Sequence, residues 1–116
     1  MTSRVYVPAT LADLAAYVGS GSVPASAERF EAPDETEEGE YAALAAAAEA
    51  SAALLDGPGR RVVLVGEVDD PDAAVPLRRV VAVHVDAVEG ADPDDDLGWF
   101  ATQEIPHLLD GSAFGS

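Results

Sequence analysis

Three aspartates at alternate positions are the first residues whose spacing suggests chemistry. Asp92, Asp94 and Asp96 lie in the stretch DPDDDLG and match the early oxygen ligands of a calcium-binding loop. The match then fails, because Leu97 stands where the sharp turn needs glycine, and Gln103 occupies the twelfth position. A solvated acidic loop is the better interpretation. These aspartates remain weak metal candidates, and we otherwise expect neither a metal nor a cofactor.

Most of the aromatic side chains lie near the ends of predicted elements, namely Tyr6, Tyr41, Trp99 and Phe100. Glu40 directly precedes Tyr41, and Gln103 and Glu104 follow shortly after Trp99. If the element ends that carry them converge, the carboxylates would share a pocket in which their proximity raises a pKa. Such convergence is more often simple packing. The candidate binding residues are Tyr6, Glu40, Tyr41, His84, Trp99, Gln103 and Glu104.

Neither histidine has a sequence neighbour that would make it catalytic. His84 alternates with valine and alanine in a predicted strand, where a half-buried histidine with one hydrogen-bond partner is the usual case. Glu67, in the preceding predicted strand, could pair with it or could face water. His107 lies near Asp110 and is expected in solvent at a helix end. The sequence has no Ser-His-Asp order, phosphate-binding glycine loop or HExxH motif, so we assign no catalytic residue and disfavour an enzyme.

The charge balance excludes several classes of partner. The chain has 22 acidic residues against six arginines and no lysine, which gives a net charge of −16. Nucleic acids and anionic membranes both require basic residues, so we expect neither as a partner. A solubilising surface is the simplest explanation, and salt adaptation would give the same composition. A cationic partner, a divalent metal and mimicry of a nucleic acid stay open.

Other features of the composition indicate a cytoplasmic protein. The chain contains no cysteine, which removes disulfides, zinc–thiolate sites and thiol nucleophiles. Arg4, Pro8 and Asp13 interrupt any apolar signal-like stretch near the N-terminus. The longest apolar run, Tyr41 to Ala48, is far too short to span a bilayer.

The apolar pattern predicts alternating strands and helices. A strand at residues 4–8 precedes a helix that Thr10 caps, with Asp13 as its acidic partner and Gly19 as its end. The further predicted elements are a short edge strand within 27–31, a helix from about Thr36 to Leu55, strands at 60–68 and 78–86, and a short helix at Pro106. The long helix carries one apolar stripe, formed by Tyr41, Leu44, Ala48, Ala52 and Leu55.

This order, β-α-(β)-α-β-β-α, predicts an α+β fold. The simplest packing is a two-layer sandwich in which helices lie mainly on one face of a small mixed sheet of three to four strands. In the strand at 78–86, Val81, Val83 and Val85 are expected on one face, opposite Val80, Ala82 and His84. Residues 1–110 are predicted to form a single domain and residues 111–116 a flexible tail.

Three blocks of sequence resemble a family of short uncharacterised actinobacterial proteins, a domain of unknown function. They are RVYVPATL at 4–11, EYAALAAAAEAS at 40–51 and GWFATQEIPHLL at 98–109, with RRVVLVGEV and VAVHVD between them. Phe100 stands where the W-F/Y-A-x-Q-E-I block of that family usually has tyrosine. The resemblance implies no activity and no cofactor.

These observations favour a small acidic binding or protein-interaction module without catalytic activity. It could self-associate as a homodimer through an exposed strand or the alanine-rich helix. The alternatives are a small-molecule-binding domain or small enzyme that uses tyrosine, tryptophan and glutamate side chains in one cleft, and an acidic mimic of nucleic acid. The discriminating observation for the cleft is whether Tyr6, Glu40, Tyr41, Trp99 and Glu104 open onto one space.

Overall fold

A computed structural model describes residues 2–114 and confirms the α+β class. In chain order the elements are β1 (Ser3–Ala9), α1 (Leu11–Ser20), β2 (Ser22–Val23), β3 (Phe30–Glu31), α2 (Glu37–Leu54), β4 (Val62–Val68), β5 (Val75–Pro76), β6 (Val80–Val85), β7 (Gly98–Phe100) and α3 (Ile105–Asp110). Short 3-10 turns at Leu77–Arg79, Thr102–Glu104 and Ser112–Phe114 complete the described chain.

The main sheet is larger than the sequence pattern indicates, and every pairing in it is antiparallel. Its five strands follow the order β3-β1-β4-β6-β7, while β2 and β5 form a separate pair. The expected mixed sheet does not form because α2 runs in the same direction as β1, from Glu40 beside Arg4 to Ser51 beside Ala9. The chain therefore re-enters the sheet where β1 ends, and β4 runs back antiparallel to β1.

Alternate residues of the central strands build two cores on opposite faces of the sheet. On one face, α1 and α3 cover a core of valine and leucine side chains that includes Val5, Val7, Leu14, Val62, Leu64, Val83, Val85, Ile105 and Leu108. On the other face, α2 alone covers a smaller core formed by Tyr6, Ala43, Ala47, Ala48, Val63, Val65 and Ala82. Two helices thus share one face, and the third lies by itself on the other.

A β-bulge changes which residues of β6 are buried. The pairing of β4 with β6 shifts between Val65 and Gly66, which leaves Val81 as the extra residue. Val80, Val83 and Val85 consequently share the buried face, while Val81 is 42% exposed. The expected grouping of Val81 with Val83 and Val85 is therefore wrong, because strict alternation holds only where the register is continuous.

Helix α1 begins as the sequence predicts and ends two residues later. The Thr10 hydroxyl accepts from the Asp13 N–H at 3.0 Å, and the Asp13 carboxylate accepts from the Thr10 N–H at 3.1 Å. Gly19 lies within the helix rather than ending it. Gly21 is the residue that takes the left-handed conformation, at φ 86°, and its N–H donates to the Tyr17 carbonyl.

Helix α2 packs through its smallest residues. Its limits agree with the prediction, and the Thr36 hydroxyl caps it by accepting from the Gly39 N–H. The residues of α2 that are buried are Gly39, Ala43, Ala47, Ala48 and Ser51. Small side chains let the helix backbone approach the sheet closely. Of the predicted stripe, Ala48 is buried in this contact, and the other four residues flank it. None of the helices within residues 2–114 is long and apolar enough to cross a membrane.

The C-terminal part of the described chain packs on the domain through aromatic contacts. Pro106 lies in the first turn of α3, as predicted. The Phe114 ring meets Phe100 edge-to-face at 6.2 Å between centroids, and the Arg60 guanidinium lies 3.7 Å from the Phe114 centroid. Within the segment 111–116, expected as a flexible tail, residues 112–114 thus form a packed turn, and Gly115 and Ser116 lie outside the described residues.

One buried hydroxyl fastens the end of α2 to the sheet. Ser51 Oγ donates to the Ala9 carbonyl at 2.7 Å and accepts from the Val62 N–H at 2.8 Å. The two backbone groups belong to the last residue of β1 and the first of β4, which face each other across the sheet. Ser51 therefore satisfies two buried groups at once.

Replacing this hydroxyl should destabilise the fold measurably. We expect Ser51→Ala to lower the free energy of unfolding by about 1–3 kcal/mol, because it leaves a buried carbonyl and a buried N–H unsatisfied. Urea denaturation followed by circular dichroism measures the change. Ser26→Ala, at an exposed position, is the control and should have no measurable effect. Equal stability of the two variants would contradict the bridging role of Ser51.

Candidate binding groove

One helix cannot cover the whole of a five-stranded sheet. A helix with its side chains is roughly 10–12 Å wide, and strands lie about 4.8 Å apart. Helix α2 packs mainly on β3, β1 and β4 and buries Ala82 of β6, but it leaves His84 of β6 and Trp99 of β7 beside open space on the same face. The space between α2 and these two strands is a groove made of two adjoining cavities, of about 900 and 420 Å³.

The two cavities share four wall residues, which makes them one continuous groove. Tyr41 and Leu44 come from α2, and His84 and Trp99 are a directly opposed pair on β6 and β7. The larger cavity continues along α2 past Ala48 and Ala52. The residues of the predicted apolar stripe, from Tyr41 to Leu55, therefore all line this groove.

Two aromatic side chains of the groove are largely open to solvent. Tyr41 is 62% exposed and Trp99 is 61% exposed, on opposite walls. Leu44 and Leu97, which pack at the margin of the α2 core, extend the apolar surface. Exposed aromatic rings around an apolar cleft can stack on, or pack against, the apolar part of a ligand.

The structure brings five of the seven candidate binding residues together. Tyr6, Glu40, Tyr41, His84 and Trp99 all line the smaller cavity. The remaining two candidates, Gln103 and Glu104, lie in the turn after β7 and line neither cavity. They diverge because the chain crosses to the opposite face there, where Thr102 donates to the Val80 carbonyl and Ile105 enters the core with α1 and α3.

The polar groups of the smaller cavity are engaged with one another or neutral. Arg4 contacts Glu40 at 2.6 Å and Glu67 at 3.6 Å, so Glu67 pairs with Arg4 rather than with His84. Burial raises the pKa of the Tyr6 phenol, and the negative charge of Glu40 raises it further. Burial lowers the pKa of His84, which keeps its imidazole neutral at pH 7.

The far end of the groove is built around a buried ion pair. Asp86 follows β6 and Arg61 precedes β4, and they are 1% and 7% exposed. Arg61 Nε and Nη2 donate to the two oxygens of the Asp86 carboxylate at 2.8 and 2.7 Å, and the Arg61 N–H donates to the same carboxylate at 2.8 Å. These hydrogen bonds raise the pKa of Arg61 above its ordinary value.

Arg61 also fixes the acidic loop, residues 86–97 between β6 and β7. Its guanidinium donates to the backbone carbonyls of Asp92, Pro93 and Asp95 at 3.3, 3.1 and 2.9 Å. Two carboxylates are used within the loop itself, since Asp92 accepts from the Asp94 N–H and Asp95 accepts from the Asp92 N–H. Within residues 2–114, no group of three or more carboxylate or histidine side chains is arranged to hold a metal ion, so Asp92, Asp94 and Asp96 do not form one.

Exposed carboxylates line the larger cavity. Glu49 of α2 and Asp94, Asp95 and Asp96 of the acidic loop all line it, and all four are exposed. The sequence pattern did not place Glu49 at the site, nor did it pair Arg61 with Asp86. The sequence did contain a signal for the pair, because Arg61 begins one valine-rich strand and Asp86 ends the next. If such neighbouring strands pair antiparallel, these two ends lie together.

Removing Arg61 should unfold the groove end and destabilise the whole domain. We expect Arg61→Met to lower the free energy of unfolding by about 3–5 kcal/mol, because Asp86 then remains buried and unpaired. The double variant Arg61→Met/Asp86→Asn should recover part of that loss, since it removes the charge. Chemical denaturation measures both variants, with Arg78→Met at an exposed position as the control. A single variant as stable as the control would show that the pair contributes nothing.

The lowered pKa of His84 predicts that stability falls in mild acid. The unfolded chain binds the proton near pH 6.5, whereas folded His84 resists it, so protonation favours the unfolded state. The contribution of neutral His84 to the free energy of unfolding is fully present above about pH 6.5. It is lost as the pH falls from there toward the pKa of His84 in the folded protein. The difference in unfolding free energy between wild type and His84→Gln, measured from pH 8 to 5, should therefore change with pH. Ser26→Ala, at an exposed position without a titratable side chain, is the control and should run parallel to wild type.

One family is similar to this chain over most of its length. Its sequence model, described as a family of unknown function (DUF6912), matches residues 3–93. The match includes Arg61, Asp86 and His84, while Trp99 and the third block of the resemblance lie beyond it. No curated protein and no solved structure matches the sequence. The family match covers well over half of the chain, and the protein belongs to the DUF6912 family of unknown function.

Proposed function

We propose that this protein is a non-catalytic binding module whose contact surface is the groove between α2 and the β6–β7 pair. The observation that carries the proposal is the exposure of Tyr41 and Trp99 on opposite walls of an apolar groove. Large exposed aromatic side chains cost free energy in water, and tyrosine and tryptophan dominate the binding energy of many protein interfaces. The cytoplasm is the compartment in which we propose that binding takes place.

The chemistry of the groove favours binding over catalysis. Within the described chain, its walls bring carboxylates and one imidazole together without a serine or threonine beside them. A general base needs the proton of a nucleophile or substrate within hydrogen-bond reach. Glu40 is paired with Arg4 and Asp86 with Arg61, so these carboxylates are already engaged.

A small-molecule site is the alternative that one observation favours. The larger cavity, at about 900 Å³, falls within the range of small-molecule pockets. Such pockets enclose most of their ligand, however, and this groove is open along its length between Tyr41 and Trp99, which are both mostly in solvent. An open groove is better suited to a segment of a larger partner.

Selection of short random peptides displayed on phage tests the proposal. We expect wild-type protein to enrich peptides whose binding shifts the fluorescence of Trp99, the single tryptophan of the chain. Trp99→Ala and Tyr41→Ala should each weaken binding about tenfold or more, as is typical of central aromatic contacts. Val18→Ala and Leu54→Ala remove exposed apolar side chains outside the groove and serve as controls. The proposal is wrong if no peptide is enriched, or if enriched peptides bind the Trp99→Ala variant as well as wild type.

A further inference from the structure

We infer, on the basis of the binding function proposed above, that the occupant of the groove is a basic, extended segment of a different protein. The proposed function requires only that the groove bind a partner. Three properties identify the chemistry of the partner. They are the length of the groove, the charge of its walls, and the engagement of the protein's own arginines within the fold.

The length of the groove fits a short extended peptide. Its helical wall runs from Tyr41 to Ala52, which corresponds to about 17 Å at 1.5 Å per residue. An extended chain advances about 3.3 Å per residue, so about five residues fill this length. Arg4 at one end of the groove and Asp94 and Asp96 at the other are exposed, so both ends of the groove meet solvent.

The charge of the groove selects a basic occupant. At the acidic-loop end, Glu49, Asp94 and Asp96 line the cavity, and within residues 2–114 their carboxylates have no hydrogen bond or ion pair. The cationic side chain at that end, Arg61, is neutralised by Asp86. At the other end, Arg4 faces two glutamates. The carboxylates of Glu49, Asp94 and Asp96, beside an apolar floor, carry negative charge that no cation of the described groove neutralises, and lysine or arginine of a partner would neutralise it.

A second copy of this chain is a poor occupant. Each copy carries a net charge of −16 and no lysine, so two copies repel each other. Most of its arginines are held within the fold, where they contact carboxylates, backbone carbonyls or an aromatic ring. These arginines are Arg4, Arg29, Arg60, Arg61 and Arg79. The cations that the groove attracts must come from another protein.

Alternation of side chains along an extended peptide explains how one segment can contact both the apolar floor and the carboxylates of the groove. In an extended peptide, successive side chains point to opposite sides. Apolar residues at alternate positions would pack on Leu44, Tyr41 and Trp99 at the floor and walls. Arginine or lysine between them would reach the carboxylates at the rim, because their long side chains extend past the apolar surface they cover.

The test uses three peptides of one length and one small cation. The peptides are acetyl-RLRLR-amide, acetyl-QLQLQ-amide and acetyl-ELELE-amide, and the small cation is N-acetylarginine N-methylamide. Trp99 fluorescence and amide chemical shifts measure binding to the full chain at low and at physiological salt. We expect the basic peptide to bind about tenfold or more tightly than the neutral one, to weaken with salt, and to outcompete the acidic peptide and the small cation.

Two variants that each remove three negative charges distinguish binding in the groove from general attraction to the negatively charged protein. Glu49→Gln/Asp94→Asn/Asp96→Asn removes three groove carboxylates, and Glu28→Gln/Asp69→Asn/Asp72→Asn removes three exposed carboxylates elsewhere. The groove variant should lose about tenfold in affinity for the basic peptide, and the control variant should lose less than about threefold. Equal losses would show non-specific attraction and overturn the inference.

Other outcomes distinguish this inference from the proposed function. If the neutral peptide binds as tightly as the basic one and Trp99→Ala abolishes both, the groove binds peptides but does not select charge, and only the inference fails. If the small cation binds as tightly as the basic peptide, the partner is an organic cation, and the inference is overturned. A mass above that of the monomer in sedimentation, lost in Trp99→Ala, would place a second copy in the groove and overturn it as well.

Discussion

The Arg61–Asp86 pair is the constraint on which the rest of the groove depends. A buried charge pair is stable only if its geometry is good and its remaining donors are satisfied. The Asp86 carboxylate accepts from Nε, Nη2 and the backbone N–H of Arg61. Carbonyls of the acidic loop accept further hydrogen bonds from Nη1 and Nη2. The loop is therefore wrapped with its carbonyls inward around Arg61, which leaves the carboxylates of Asp94 and Asp96 outward at the edge of the cavity. A structural need for satisfied donors thus also creates the acidic end of the groove.

The second constraint is the mismatch between one narrow helix and a five-stranded sheet. On the opposite face, α1 and α3 together with β2 and β5 complete the core. On the groove face, the small residues of α2 draw it close to β1 and β4, and Ser51 fastens its end there. The outer strands remain uncovered, and their exposed residue Trp99 faces open space rather than a core. The groove is thus a consequence of where α2 must pack.

Arginine has an unusual role in a chain with so little positive charge. Arg29 donates to the carbonyls of Pro24, Pro71 and Ala73, which joins two loops in the way that Arg61 organises the acidic loop. The planar guanidinium, with five donors and a charge that persists at every relevant pH, is well suited to collecting several carbonyls at once. Because Arg29, Arg60, Arg61 and Arg79 are partly or fully buried in such contacts, the exposed surface is more uniformly negative than the composition alone indicates. That distribution is what makes a cationic partner the complementary one.

Local patterns by themselves determined much of this protein. The capping box of Thr10 and Asp13, the limits of α2, the valine-rich strands and the short helix at Pro106 all depend on interactions between near neighbours, which sequence spacing specifies. The proximity of Tyr6, Glu40, Tyr41 and Trp99 was proposed from aromatic and acidic residues at element ends, together with Glu104, which does not join them. Only the tertiary structure decided that Gln103 and Glu104 turn to the other face, that a bulge exposes Val81, and that Arg61 reaches Asp86. These features depend on strand register, on the direction in which α2 crosses the sheet and on burial, which are set by contacts between residues distant in the chain.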